Sequence, residues 1–374
     1  MVDFSQRNEN LNYLRAMTLQ SRLSTLHQLA AHLKAGEDEF LTALQARTEY
    51  NNQWFTLENQ QASLNAIVEE FLDEEKLNAW LSRYKITPIA GDGFVPQPGP
   101  DGEGQKTVGL VLAGNIPLVG FHDILCVYVA GHKAMLKLSS KDEYVLPYLL
   151  KLLAKFDEAA ADYFNIVEKL EGYDAVIATG SNNSARYFET YFSKVPNIIR
   201  KNRNAVAVLS GKETEEEMRS LGHDVFQYFG LGCRNVSKLY APEGYDFDPL
   251  LHIFHEWKTM QNHTKWKNNF DYNYALTTLN KGSFHLTGPL MVIENEAITS
   301  RIGTLHFEYY SDDKALATSL DARTEEIQLV VHQPDFLETA LPTFSFGAAQ
   351  RPGLADYADG VDTLEFLFSL YGEK

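Results

Sequence analysis

Residues 107–138 read TVGLVLAGNIPLVGFHDILCVYVAGHKAMLKL, and the fold turns on how that stretch divides. Residues 107–113 form a short β-rich run. Residues 119–130 have the length and apolar character of a buried helix and stop at Gly131, the residue best suited to a left-handed cap. Residues 133–138 return to strand. Strand, helix and strand in this order make a βαβ unit, whose strands must be parallel.

The alternation continues downstream. Ser140 and Glu143 form a capping pattern for a helix running to about residue 158, with Pro147 placed to kink it or delay its start. Residues 174–179 read as strand and pass through Gly180 and Ser181 into a helix over 184–192. Residues 205–210 read as the next strand, and Thr214 with Glu217 caps another helix. Beyond Cys233 come a strand at 236–240, a helix over 249–262, a further βαβ pattern over 305–311, 312–322 and 327–332, and a β-like run at 361–368. Upstream, residues 7–82 carry leucines such as Leu23, Leu26, Leu29 and Leu33 at helical spacing. A Pro- and Gly-rich stretch from Pro88 to Gly104 follows as a linker. The reading is an α/β protein with a doubly wound parallel sheet. It divides into an N-terminal helical region and linker (1–105), a first α/β unit (106–211), a second α/β unit (212–340) and a tail with a strand (341–374).

Composition narrows the function. The 374 residues are 44% hydrophobic, 22% charged and 12% aromatic, which fits a globular protein and excludes disordered or collagen-like chains. A net charge of −17 opposes nucleic-acid or anionic-lipid partners. The longest apolar run, residues 124–130, is far short of the roughly 20 residues that span a bilayer. The first fifteen residues lack the pattern of a secretory signal. Two cysteines make no disulfide framework. The expectation is a cytoplasmic protein without a membrane span.

Several groups could carry chemistry. Asn115, in Ala113-Gly114-Asn115-Ile116-Pro117, either aims its amide into the crevice at the carboxyl edge of the sheet or caps the following helix; the GxGxxG phosphate fingerprint is absent. Cys233 follows Gly230-Leu231-Gly232 and precedes Arg234. The glycines free backbone N–H groups for an oxyanion, and the guanidinium favours a thiolate, so the residue reads as a nucleophile or as a buried core cysteine. Cys126 sits in an apolar helix and reads as core. Gly180 and Ser181 at a helix start suit a phosphate or a simple cap. Lys137 and Ser139 suit a ribose or its phosphate, or solvent. His252, His255 and His263 lack metal-ligand spacing.

Taken in order, these motifs resemble the aldehyde dehydrogenase superfamily, and within it the acyl-CoA reductase family of the bioluminescence fatty-acid reductase type. The resemblance covers residues 106–370 and implies that 106–211 is a dinucleotide-binding domain and 212–340 a catalytic domain carrying a cysteine nucleophile. Ala113-Gly114-Asn115-Ile116-Pro117 is similar to the superfamily's Pro-Trp-Asn-x-Pro segment. Residues 130–140 resemble its Ala-Gly-Asn-x-x-x-x-Lys-Pro-Ser stretch, and Thr179-Gly180-Ser181 resembles its Thr-Gly-Ser turn. Cys233 lies where the catalytic cysteine is expected, and the tail from Pro352-Gly353 to Asp362 resembles the reductases' C-terminal end. Where aldehyde oxidisers carry Glu-Leu-Gly-Gly, this chain reads Arg200-Lys201-Asn202-Arg203-Asn204-Ala205-Val206, with no carboxylate to activate hydrolytic water.

The resemblance implies reduction of a fatty acyl thioester to the aldehyde, with the acyl group carried on CoA or a carrier. Cys233 would be the nucleophile and Asn115 an oxyanion donor. Lys137 and Ser139 would sit at the adenosine ribose, and Gly180 and Ser181 near the pyrophosphate. NADPH is the implied donor, with NADH the alternative, and no metal is implied. An acyl-protein synthetase is a partner by the same resemblance, and homo-oligomerisation is left open. The rival readings are an acyl-phosphate reductase, a non-catalytic acyl-binding protein on the same fold, and a cysteine hydrolase with His223 as base.

Overall fold

In the computed structural model, which describes residues 16–84, 98, 102 and 104–371, each N-terminal helix starts on a side-chain cap written in the sequence. Thr18, Asp38, Thr56 and Asp73 accept from backbone N–H groups of helices α1 (Leu19–Ala35), α2 (Glu39–Asn51), α3 (Leu57–Ala66) and α4 (Glu74–Ser82). Gly36, at φ 68°, ends α1. A π-helical turn, Ile67–Phe71, extends α3. The leucine stripe of α1 is buried and shares one core with the α/β unit that follows. Residues 1–15 and most of the linker (85–97, 99–101 and 103) lie outside the described residues.

The unit that decides the fold forms as read, with β1 (Thr107–Val111), α5 (Phe121–Ala130) and β2 (Lys133–Lys137). Val108 pairs with Ala134 and Leu110 with Leu136 in parallel register. Gly131 closes α5 at φ 86°. Then come α6 (Val145–Phe156), β3 (Phe164–Ile166), β4 (Ala175–Thr179), α7 (Asn182–Tyr191) and β5 (Asn197–Arg200). The five strands form one parallel sheet in the order β3-β2-β1-β4-β5. The chain runs outward from β1 to β3 and returns on the other side at β4. The switch point, where open α/β sheets bind ligands, therefore lies between the carboxyl ends of β1 and β4.

A second sheet orders its strands β12-β11-β6-β7-β10-β9-β8. Its members are β6 (Asn204–Val208), β7 (Val236–Pro242), β8 (Phe284–Thr287), β9 (Leu290–Glu294), β10 (Thr304–Tyr310), β11 (Ile327–Val331) and β12 (Thr343–Phe344). All pairs are parallel except the β8–β9 hairpin. Helices α8 (Glu215–Phe226), α9 (Asp248–Phe254), α10 (Thr264–Leu279), α11 (Asp313–Asp321) and α12 (Thr363–Ser369) complete the chain. The Thr214–Glu217 capping box of α8 is present in both directions.

Several local readings change. Residues 361–368 are helix α12 rather than strand, because Asp362 caps the Glu365 N–H and Leu364, Leu367 and Phe368 bury one helical face. The tail's strand is β12 instead. Helix α6 begins at Val145 without a side-chain cap, and Pro147 is accommodated in its first turn. The βαβ formed by β10, α11 and β11 spans two intervening strands, β7 and β6. The strand expected to end the first α/β unit is β6, which pairs with β7 and β11, so the sheets change over between Arg200 and Asn204.

Candidate active site

Cys233 sits three residues before β7, at the amino edge of the second sheet, where it faces the carboxyl edge of the first. Its loop is built from strained backbone. Tyr228 and Phe229 both hold left-handed conformations, φ 53° and 57°, followed by Gly230 at 67°. Asn235 braces the turn from inside. Its Oδ1 accepts from the Gly232 N–H at 2.8 Å, and its Nδ2 donates to the Asp224 and Gln227 carbonyls at 3.0 and 2.8 Å. The Gly232 N–H, expected to be free for an oxyanion, is therefore spent on the loop. Gly232 has no room for a side chain, since a Cβ would lie 2.9 Å from Asn235 Oδ1.

The opposing loop, after β1, is pinned at three points. Asn115 Nδ2 donates to the Leu231 carbonyl at 2.8 Å. Ser63 Oγ of α3 donates to the Pro117 carbonyl at 2.7 Å, and the Leu118 N–H donates to Asp142 Oδ2 at 2.8 Å with Leu118 at φ 57°. Asn115 is thus neither a helix cap nor loose. It ties the first sheet's loop to the cysteine loop, and an amide carries a second N–H beyond the one donated.

Between the loops lies a mostly apolar cavity of about 160 Å³. Ile67, Phe71, Ile116, Val119, Tyr228 and Pro352 supply apolar wall, and Cys233 opens onto it with Asp123, Arg200, Arg234, Gln350 and Asp356. A volume of this size holds a benzene-sized group. Burial pushes the Cys233 thiol up, and Arg234 pulls it down by less, so the expected guanidinium effect is present but does not dominate. Both carboxylates in the wall are engaged. Asp123 is held by Arg200 Nη1, which spans its two oxygens at 2.8 and 2.6 Å, and Asp356 Oδ2 accepts from the Gly353 N–H at 2.7 Å. Arg200 Nη2 also donates to Thr363 Oγ1 of α12. His122, in the same wall, meets the Leu354 carbonyl through Nε2, and its other nitrogen faces Cys126.

The second set of residues lies on the carboxyl edge of the first sheet. Lys137, the last residue of β2, donates to the Glu168 carbonyl at 2.8 Å and lines an apolar groove of about 760 Å³ with Val111, Leu170, Tyr187, Phe188 and Tyr191. Ser139 packs on Gly114 so closely that a Cβ there would lie 2.2 Å from Ser139 Oγ. Ser181 caps α7 through the Ser184 N–H, and Gly180 precedes it. Lys133 begins β2 and sits at the opposite edge. The groove beside Lys137 and the capped helix start at Ser181 lie on the same carboxyl edge of the sheet, the edge at which open α/β sheets bind ligands.

The structure brings Asn115 against the Cys233 loop and gathers Lys137, Ser139, Gly180 and Ser181 along one sheet edge. His223 is exposed and packs edge-on to Trp257, away from the cavity wall, which removes it as a base for Cys233. His263 caps α10, and His255 accepts from the Gly288 N–H. Sequence reasoning missed Asn235 as a brace, the Asp123–Arg200 pair, and residues 350–358 as cavity wall. Only the tertiary fold brings these groups together.

No protein-family model matches the chain, and no curated protein matches it. Solved structures do. Aldehyde dehydrogenase 21 from Physcomitrella patens superposes at a TM-score of 0.62, with 14% identity over 96% of this chain and 85% of that one. The aldehyde dehydrogenase from Mycobacterium tuberculosis, complexed with NAD+, gives 0.62, with 13% identity over 88% and 78%. Glyceraldehyde-3-phosphate dehydrogenase GapN from Methanocaldococcus jannaschii, complexed with NADP, gives 0.62, with 13% identity over 90% and 82%. The chain has the aldehyde dehydrogenase fold.

Proposed function

We propose that the chain reduces an acyl thioester to the aldehyde through an acyl-cysteine at Cys233, using a nicotinamide cofactor. The observation that carries the reading is the state of the cavity. A cysteine opens onto a mostly apolar pocket whose buried carboxylate, Asp123, is held by Arg200 and whose other carboxylate, Asp356, is exposed and accepts the Gly353 N–H, an arrangement that supports slow activation of water against an acyl-enzyme. An acyl group held there is protected from hydrolysis and persists for reduction.

Cys233 attacks the thioester carbonyl as a thiolate, and the second N–H of Asn115 with the Cys233 backbone N–H stabilises the tetrahedral oxyanion. The thiol leaving group departs, the apolar wall holds the acyl chain and excludes water, and Cys233 leaves again as a thiolate when the aldehyde forms. Lys137, Ser139, Gly180 and Ser181 would hold the cofactor, in keeping with the NADP complex of the GapN neighbour. When bound, the cofactor supplies the hydride. NADPH is the proposed donor.

The test is NADPH or NADH oxidation across acyl-CoA esters of increasing length, with the aldehyde trapped. Thioester-dependent oxidation that disappears in Cys233→Ala is expected. Full activity in Cys233→Ala overturns the reading, as does turnover with aldehyde and NAD(P)+ but none with thioesters.

A further inference from the structure

Arg234 follows the nucleophile and lines its cavity, yet it forms no ion pair among the described residues. Nη2 donates to the Asp356 backbone carbonyl at 2.8 Å, the guanidinium lies over the Phe344 ring at 5.1 Å, and Nη1 is buried without an acceptor. Two other residues of the same wall also have an unsatisfied buried N–H: Gln350 at Nε2 and Arg200 at Nε. The charges facing this space are Arg200, already neutralised by Asp123, Asp356, which is turned to the Gly353 N–H, and Arg234. Buried guanidinium groups are paired in folded proteins, and buried donors are satisfied, because leaving them bare costs free energy. These N–H atoms are covered by protein, but the Arg234 guanidinium borders the cavity with no carboxylate of the described residues in ion-pair contact, so an anionic group entering beside Cys233 meets an unpaired positive charge.

We propose that Arg234, with Gln350 in the same wall, binds an anionic oxygen group, a carboxylate or a phosphoryl, carried by the acyl donor that meets Cys233. This rests on Cys233 being the nucleophile of the proposed reaction. The chain carries a net charge of −17, so its long-range field repels such a donor, and any preference for an anion at Cys233 is local.

Two alkylating agents of nearly equal size test this without cofactor or turnover: iodoacetate, which carries a carboxylate, and neutral iodoacetamide. Each forms an S–C bond to the Cys233 thiolate as its C–I bond breaks and iodide leaves. Rates are read by peptide mass spectrometry, with glutathione as the reference thiol. The iodoacetate-to-iodoacetamide ratio at Cys233 is expected to exceed that of glutathione and to fall by roughly 10- to 150-fold in Arg234→Gln, with Arg234→Lys between. Equal slowing of both reagents makes Arg234 a partner of the thiolate alone and overturns the proposal. So does a wild-type ratio at or below that of glutathione, or a Cys233 that neither reagent touches. Wild-type protein gives a check independent of the variants: succinate or inorganic phosphate is expected to slow iodoacetamide at Cys233, and no protection by either counts against the subsite. Steady-state rates with an ω-carboxyl acyl thioester, a neutral thioester of equal length and an acyl phosphate then distinguish a carboxylate from a phosphoryl. A neutral thioester used best of the three overturns the proposal. A retained alkylation ratio with no reduction of any donor overturns the reductase reading and leaves the anion subsite standing.

Discussion

Asn115 and Leu231 join the two halves of the site: the Asn115 amide donates to the Leu231 carbonyl at 2.8 Å, linking the loop after β1 to the loop that carries Cys233. The contact fixes the amide two residues from the nucleophile and leaves its second N–H for an oxyanion. Asn115→Ala removes both functions. A lost oxyanion donor costs about 100- to 1000-fold in rate, whereas a lost partly buried hydrogen bond costs about 1 kcal/mol of stability. We expect acyl transfer to Cys233, followed in a single turnover, to fall by that factor while the thermal midpoint moves by only a few degrees. A large loss of stability with an intact acylation rate would assign Asn115 a structural role alone.

The Gly114–Ser139 contact makes a prediction about backbone approach. A Cβ on Gly114 would lie 2.2 Å from Ser139 Oγ and 2.6 Å from its Cβ, while the next neighbour, Lys141 Cβ, is at 3.2 Å. Gly114→Ala must therefore displace Ser139 or the Asn115 loop, weakening nicotinamide cofactor binding and acylation together. Ser139→Gly in the same chain removes both clashing atoms. The double variant is expected to recover acylation relative to Gly114→Ala, although it lacks the Ser139 hydroxyl. Calorimetric cofactor titration and acylation rates check this, and a double variant no better than the single one would show that the contact does not set the loop.

How much of this was legible follows from the range of the interactions. The βαβ unit could be read because its signals are local: an apolar helix stopped by Gly131 between two short strands. The caps at Thr18, Asp38, Thr56, Asp73 and Thr214 are local too. Helix α12 carried an equally local signal, Asp362 three residues before Glu365, but Val361 and the apolar run after it outweighed that signal. The placement of β6 in the second sheet has no local signature, since Asn204–Val208 reads as a buried parallel strand in either sheet. Cys233 and Asn115 could be proposed from their neighbours in sequence. The cavity between them could not, because its wall combines the end of α3, the start of α5 and residues 350–358.

Asp123 and Arg200 lie in that wall at 6% and 5% exposure, so each is the other's buried counter-ion. Removing one partner strands the other in a low-dielectric setting, which costs about 3–5 kcal/mol. Replacing both by apolar residues of similar volume removes the desolvation cost as well. Asp123→Ala and Arg200→Met are each expected to destabilise by that amount in urea unfolding. Asp123→Leu/Arg200→Met is expected to cost less than either single variant, after allowance for the lost Thr363 hydrogen bond. Additive losses would show that the pair is not coupled.

Asp224 is fully buried in α8 and accepts the Gly347 and Ala349 N–H groups at 2.6 and 3.0 Å, clasping the tail just before the cavity wall at Gln350. Burial pushes its carboxyl up from 3.8 to about 7, against the smaller pull of those two N–H groups. The folded state therefore keeps a proton that the unfolded chain releases near pH 4. Between about pH 4 and 7 the folded state binds more protons, and this group's contribution to stability, full below about pH 4, is lost as pH rises through 7. The displacement corresponds to about 4 kcal/mol as an upper bound. Asp142, pushed up to about 6, acts in the same direction, and Asp38, held down at about 2, acts in the opposite one, so the wild-type curve alone does not isolate Asp224. The difference between wild type and Asp224→Asn does. Asparagine never ionises and keeps one carbonyl acceptor for the clasp, so its stability relative to wild type is expected to improve steadily from about pH 4 to about pH 8. Urea unfolding at both ends of that window reads the difference, and an unchanged gap would mean that Asp224 holds the tail as a carboxylate throughout.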